Sequence, residues 1–216
     1  MKTISKIKDA VKKTEVRVYL NEKPIHLKHA YQYVVIGEWK EIKEFLLQQN
    51  IHDYYVETKC VNSALALSDF KEDQVRIEPN ATIRENVRLG KNTVVLMGAI
   101  INTGCVIGDH TMIDMGAVLG GHVIVKENCH IGANAVIAGV LEPYCEKSVV
   151  VEKNCFIGAG AVILEGVHIG ESCIVGANAV VREDLPDHCV AVGVPARIIK
   201  INDTENEFIQ QDLRVL

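Results

Sequence analysis

From residue 75 onward the chain places an aliphatic residue at every sixth position. Ile77, Ile83, Leu89, Val95, Ile101, Ile107, Ile113, Leu119, Val125, Ile131 and Ile137 keep the beat, and Val151, Ile157, Ile163, Ile169, Val175 and Val181 resume it. A second phase runs two residues ahead: Val75, Ala81, Val87, Thr93, Ala99, Cys105, Thr111, Ala117, Val123, Cys129, Ala135, Val149, Cys155, Ala161, Val167, Cys173 and Ala179. All of these are small or β-branched. Residues two apart on a strand point to the same side, so both phases face inward. Gly is frequent just after the beat, at Gly90, Gly108, Gly120, Gly132, Gly158, Gly170 and Gly176. The expectation there is a corner taken with positive φ, which Gly adopts without steric cost. Short strand, corner, short strand, corner is the pattern of a parallel β-helix built of hexapeptides, three to a coil. Cys105, Cys129, Cys155 and Cys173 share the small inward phase and so read as packing residues, not metal ligands or nucleophiles.

The rhythm breaks between Ile137 and Val151, fourteen residues where six were due. The eight extra residues lie in "GVLEPYCEKSVV", Gly139–Val150. The register afterwards is intact, so the stretch reads as a loop pushed out of a finished coil, with Pro143 stiffening its tip. Loops on rigid scaffolds are where function concentrates.

Residues 1–74 follow other periods. Ile4, Ile7, Ala10 and Val11 predict a short helix, and "EVRVYL" (15–20) alternates as a strand. "YVVIGE" (33–38) and "DYYVE" (53–57) read as further strands, and "EWKEIKEFLLQQN" (38–50) puts Trp39, Ile42, Phe45 and Leu46 on one helical face. The expected organisation is a small N-terminal α/β domain over 1–74, in a packing or substrate-covering role. A β-helix over 75–201 with a loop at 138–150 follows, and then a C-terminal helix over 202–216.

Composition narrows the function classes. The 216 residues are 48% hydrophobic with a formal charge of −5 and a pI near 5.9, which argues against a nucleic-acid binder. No apolar run approaches membrane-spanning length. The N-terminal "MKTISKIKDAVKKT" lacks the apolar core of an export signal. Seven Cys without a C-x-x-C pair fit a reduced, cytoplasmic chain. A zinc site on three interface histidines is not expected, because His110, His122 and His130 form no coil-related set.

Particular stretches carry a resemblance. The repeat looks like the left-handed β-helix of hexapeptide acyltransferases, and "VAVGVPARIIK" (190–200) resembles the segment that ends many of them. "RIEPNATIRE", "MGAIINTGCVIGDHTMIDMGAVLGG", "KENCHIGANAVIAGVLEP" and "NCFIGAGAVILEGVHIG" together resemble the tetrahydrodipicolinate N-acetyltransferases of the diaminopimelate branch of lysine biosynthesis. Succinyl-transferring relatives share "GVLEP", "NCFIGA" and "EGV". The likeness covers about 75–200 well and the N-terminal part loosely. The chain departs from the family at Cys60-Val61, where the family has an Arg pair, at His122, where it has Arg, and along "EPYCEKSV". The resemblance implies a left-handed coil and a homotrimer with sites between subunits. It also implies acetyl transfer from acetyl-CoA to the amino group of opened tetrahydrodipicolinate, a dicarboxylate. A succinyl-CoA donor or another amine acceptor is the alternative, and a non-catalytic β-helix scaffold is the reading from a different class.

Acyl transfer to an amine needs a base, donors for the developing oxyanion and alignment of the reactants. Asp114 sits in a phase where Gly is commoner, and Glu165 lies in "LEGV". The resemblance assigns both a catalytic role. About two and a third coils separate them, roughly 10 Å along the axis at ~4.8 Å per coil, so distinct roles fit better than a shared proton. Arg84 and Asn102 match family positions that could meet a substrate carboxylate. His130, pointing outward, is a further substrate-binding candidate and the rival base. "GAGA" and "GANA" offer a floor of small residues for a pantetheine arm at Gly158, Ala159, Gly160 and Ala177, and Gly139 opens the loop that walls it. Arg197 and Lys200 suit the coenzyme's 3′-phosphate end in a chain that is net acidic.

Overall fold

A computed structural model describes residues 2–21, 30–71, 73–142 and 144–202. The chain divides into two compact units, residues 1–66 and 67–216.

The first unit contains α1 (Lys2–Asp9), β1 (Glu15–Leu20), β2 (Ala30–Tyr31), β3 (Val34–Glu38), α2 (Trp39–Gln48) and β4 (Tyr54–Thr58). The strands form one sheet in the order β2-β3-β1-β4, antiparallel at each junction. The alternation of β1 buries Val16, Val18 and Leu20, and the helical stripe of α2 buries Ile42 and Leu46 against them. Trp39, Phe45 and Val56 close the edges of that core.

The second unit is a parallel β-solenoid. Its two-residue strands stack into three sheets, each strand paired in register with the one eighteen residues away, as in Met112↔Val94 and Ile113↔Val95, or twenty-six away where the insertion intervenes, as in His130↔Phe156. The first face holds the strands that end on Ile77, Val95, Ile113, Ile131, Ile157 and Val175. The second face holds those that end on Ile83, Ile101, Leu119, Ile137, Ile163 and Val181. The third holds those that end on Leu89, Ile107, Val125, Val151 and Ile169. The aliphatic beat fills the interior together with the small phase. On the second face every small-phase residue is Ala, at Ala81, Ala99, Ala117, Ala135, Ala161 and Ala179. The hexapeptide β-helix and the α/β unit before it thus stand as the sequence patterns predict.

The glycines after the beat do so for a different reason from the one expected. They do not have positive φ. Positive φ falls three residues after the beat, where Asn80, Asn86, Asn92, Gly98, Gly104, His110, Gly116, His122, Asn128, Asn134, Asn154, Gly160, Gly166, Ser172 and Asn178 lie between 50° and 80°. Asn is well represented there because its short polar side chain tolerates the left-handed region. Gly follows the beat because the next coil passes too close for a side chain: a Cβ on Gly132 would stand 2.7 Å from both Ala159 N and Ile157 O.

The interior thiols do more than fill space. Their S–H groups, with two Thr hydroxyls, donate to carbonyls of the next coil. Thr111 Oγ1 donates to Lys126 O at 2.7 Å, Cys129 Sγ to Glu152 O at 3.0 Å, Cys155 Sγ to Gly170 O at 3.0 Å and Cys173 Sγ to Pro186 O at 2.9 Å. Carbonyls that strand pairing leaves with spare acceptor capacity gain a donor. Burial pushes the Cys105 thiol up to about 12, which keeps it an inert donor, here to Gly120 O.

The inserted loop joins the second-face strand Val136–Ile137 to the third-face strand Val150–Val151. Val150 and Val151 still pair with Ile124 and Val125, so the extra residues leave the stack undisturbed. Leu141 rests on Gly121, where a Cβ would stand 2.5 Å from its Cδ1. Cys145 sits over Gly166 and donates from its backbone to Val140 O at 3.1 Å. Pro143, the expected stiffener, lies outside the described residues. After the last coil, Cys189–Val192 extends the first face and Arg197–Ile201 pairs back on it antiparallel. The C-terminal helix expected over 202–216 lies outside the described residues, which end at Asn202.

Gly132→Ala is expected to destabilise the fold by about 1–3 kcal/mol through overpacking between coils. Asn128→Gly, at a positive-φ corner, is expected to stay within about 1 kcal/mol of the parent. Chemical denaturation of both variants checks the ranking, and equal losses would refute this account of the corners.

Candidate active site

Each coil has three corners, and the candidate residues gather on two of them. The corner between the first and second faces carries Asp114 and then, coil by coil, Gly132-Ala133, Gly158-Ala159 and Gly176-Ala177. Close approach of the coils forces the glycines: a Cβ on Gly158 would stand 2.5 Å from Ala177 N, and one on Gly176 2.8 Å from Val192 Cγ1. The result is a smooth strip about 15 Å long, with Ala159 and Ala177 exposed along it and Gly160 beside it. Asp114 stands at one end. At the other, Arg197 and Lys200 are exposed on the strand that pairs back along Cys189–Val192.

Asp114 occupies the post-beat slot that Gly holds on the coils after it, so its side chain must leave the coil. Its Oδ1 accepts a hydrogen bond from Met115 N at 2.7 Å, which fixes the carboxylate on its own corner. Its Oδ2 lies 3.7 Å from His130 Nε2. His130 belongs to the next coil of the first face, and its imidazole is stacked on the ring of Phe156 one coil further on, with centroids 4.9 Å apart and an interplanar angle of 7°.

The corner between the second and third faces carries the other group. Arg84 Nη1 donates to Asn102 Oδ1 at 3.4 Å, and the same oxygen accepts Thr103 N at 2.8 Å. Glu165 lies exposed on this corner, and Gly139 opens the inserted loop there. The structure therefore brings Asp114, His130 and the glycine strip together, and Arg84 with Asn102. It places Glu165 on a different corner from Asp114. Two cavities at the start of the solenoid, one lined by Phe70, Val75, Ile77 and Ile83 and one by Leu89 and Lys91, include none of these residues.

Sequence reasoning missed three residues. Phe156 keeps the outward register of His130 once the eight extra residues are removed, and that register was the available signal. Lys147 and Asp184 gave none, because they meet only through the fold. Lys147 Nζ lies 2.8 Å from Asp184 Oδ2, and Asp184 Oδ1 accepts His168 N at 2.7 Å. The Lys147 ammonium foremost, and then the His168 N–H, hold the Asp184 carboxyl below its usual range. The loop is thereby tied to the last coil. Beside that tie, His168 Nε2 meets Glu152 Oε1 at 3.1 Å. Among the described residues no group of three or more His, Cys, Asp or Glu is placed to hold a metal ion. Among them, too, no helix is long and apolar enough to cross a membrane.

Family models match separate stretches of the chain. A family model described as tetrahydrodipicolinate succinyltransferase N-terminal matches residues 1–70. One described as bacterial transferase hexapeptide (six repeats) matches residues 104–139 and 148–183, with the inserted loop between the two matches. The chain is 49% identical over 188 residues to the 2,3,4,5-tetrahydropyridine-2,6-dicarboxylate N-acetyltransferase of Brevibacillus brevis, covering 85% of this chain and 80% of that one. It is 43% identical over 228 residues to the protein of the same name from Alkaliphilus metalliredigens, covering 99% and 96%. Among solved structures, a mutant of perosamine N-acetyltransferase from Caulobacter crescentus, in complex with CoA and GDP-perosamine, is similar with a TM-score of 0.53 and 38% identity over 58% of this chain and 57% of that one.

The Lys147–Asp184 tie makes the loop acid-sensitive. Because the folded-state pKa of Asp184 is depressed below its ordinary value of 3.8, its contribution is present above that value and is lost as pH falls through the lower folded-state value. Hydrogen exchange over Cys145–Val149, corrected for intrinsic rates, is expected to speed up as pH falls from about 4 to about 2, the range below the ordinary carboxylate value. In Asp184→Asn it should be fast at both. Protection that is flat across the window would show that the tie does not hold the loop.

Proposed function

The chain belongs to the tetrahydrodipicolinate N-acetyltransferase family, and from that membership we propose how its residues divide the reaction. The enzyme transfers acetyl from acetyl-CoA to the amino group of opened tetrahydrodipicolinate, a step of the diaminopimelate route to lysine. The observation that carries this reading is the likeness to relatives of that activity at 43% identity over 99% of the chain. The family model over residues 1–70 bears a succinyltransferase description, which gives succinyl-CoA a specific claim as the alternative donor.

The amine must be neutral to attack, so a carboxylate takes its proton. The C–N bond then forms as the C–S bond breaks, and the thiol leaves protonated. Asp114 and Glu165 are the two carboxylates for this work. Asp114 is pinned by its own backbone and acts on the amine. Glu165, on a different corner, acts near the acceptor's far end or the thioester. Attack is direct in a ternary complex, with no acyl-enzyme. Arg84, held by Asn102, meets a substrate carboxylate with the charge-assisted geometry Arg provides, and His130 lies beside the reacting amine. The smooth strip fits the residues proposed for the coenzyme. Gly158, Ala159, Gly160 and Ala177 offer a thin arm close contact with backbone, Gly139 starts the wall above it, and Arg197 with Lys200 supplies local positive charge for phosphate.

Two corners of one coil cannot face each other, yet the chemistry needs both. A homotrimer resolves this by laying the Asp114 corner of one subunit against the Glu165 corner of the next, with the Gly139–Val150 loop reaching across. The distribution of the candidates over two corners supports this assembly, as does the absence of any of them from the cavities described. A cytoplasmic location accords with seven free thiols.

Turnover of tetrahydrodipicolinate with acetyl-CoA, followed by thiol release, is the direct test. Acetyl-CoA is expected to outrun succinyl-CoA at least ~10-fold, and Asp114→Asn and Glu165→Gln are each expected to lower kcat at least ~100-fold with CoA binding retained. A preference for succinyl-CoA would overturn the donor assignment, and two fully active variants would overturn the catalytic one. Shortening the loop by its eight extra residues is expected to keep the fold, read by circular dichroism, and to abolish turnover. A shortened chain that still turns over would exclude the loop from the site.

A further inference from the structure

His130 lies between two different partners along the solenoid axis. Its strand pairs with Met112 of one neighbouring coil and with Phe156 of the other. From the first side comes Asp114, with Oδ1 tied to Met115 N and Oδ2 turned toward the imidazole at 3.7 Å. From the second side comes the flat face of Phe156, nearly parallel to the imidazole. The His130 and Asp114 side chains are 21% and 19% exposed, so the pair is reachable from solvent but largely shielded by its surroundings. The other outward residues of this column include Met112 and Ile174, which are aliphatic. An aliphatic residue at 156 would cover the solenoid equally well, so packing alone does not require a ring there.

We infer that Phe156 is a positioning residue for acyl transfer: its stacked ring fixes the plane of the His130 imidazole so that Nε2 faces Asp114. The χ2 torsion of His is broad, and without the stack the ring would turn away from the carboxylate. Both neighbours also stabilise the charge that His130 acquires with a transferred proton. The carboxylate attracts an imidazolium, and the aromatic face attracts a cation within ~6 Å of its centroid. A proton taken from the substrate amine by Asp114 can then pass to the unprotonated Nε2 of a neutral His130, which becomes an imidazolium and leaves the carboxylate charged for the next transfer. Phe156 contacts neither the proton nor the substrate in this scheme and acts through His130. The inference rests on the reading above that Asp114 and His130 belong to the site.

The test is a double-mutant cycle in steady-state kinetics. Phe156→Leu is expected to lower kcat about 10-fold while KM for acetyl-CoA stays within about 2-fold, and Phe156→Tyr, which keeps the stack, is expected to restore most of the rate. In a His130→Asn background, Phe156→Leu is expected to cost nothing further. Should Phe156→Leu fail to fold, Phe156→Met takes its place in the cycle, since it fills similar volume without a ring. Wild-type kcat in the Leu or Met variant overturns the inference, and so does an equal loss in the His130→Asn background or a Tyr variant as slow as Leu. If Asp114→Asn and His130→Asn both turn over normally, the site assignment itself is wrong, and the role of Phe156 falls with it.

Discussion

The solenoid depends on one distance, the separation of about 4.8 Å between hydrogen-bonded parallel strands. Each coil donates its backbone N–H groups to the next, as Val94 N does to Thr111 O, Met112 N to Cys129 O and His130 N to Cys155 O. Everything on the outside inherits that spacing. It forces Gly into the post-beat slot where coils touch most closely. It sets the in-register columns that put His130 on Phe156 and Arg84 beside Asn102. It also leaves room inside for the Ala column on the second face and for the ladder of Thr and Cys donors on the first.

Function comes from departures that this regularity makes visible. Asp114 stands where Gly132, Gly158 and Gly176 stand on later coils, so one carboxylate emerges at the head of a strip otherwise bare of side chains. The loop departs in the other direction. It adds residues at a single corner, and the coil closes beneath it with Val150 and Val151 back in register. Its contacts include Leu141 on Gly121, Cys145 over Gly166 and Lys147 with Asp184. A rigid stack thus carries one segment whose conformation is set by a few side chains.

Much of this was legible in the sequence. A period of six with a second inward phase determines which side chains face in, so strand positions and the core could be read residue by residue. The loop was legible as an arithmetic excess. The reason for the corner glycines was not. Pattern shows where Gly recurs but not whether φ or crowding demands it, and here crowding does, while Asn, His and Ser take many of the left-handed corners. Partners across coils were only half legible. The 8-residue offset hides the fact that His130 and Phe156 share a column. The Lys147–Asp184 pair joins a loop to a distant corner, and no periodicity links those two positions. Residues 1–66 were legible as elements, through the alternation of "EVRVYL" and the stripe of Trp39, Ile42, Phe45 and Leu46, but periodicity carries no information on strand order.

A stack of this kind is a ruler with coarse graduations. Groups on it can be moved relative to one another only by whole coils along the axis or by whole faces around it, never by a fraction of an ångström. Accommodating a slightly longer acceptor therefore cannot be done by adjusting the frame. It falls to side-chain length and to the inserted loop, whose length can change without disturbing the graduations beneath. Divergence in substrate choice among enzymes of this build should accordingly be written in the loop and in a few corner residues, while the repeat that carries them stays almost fixed.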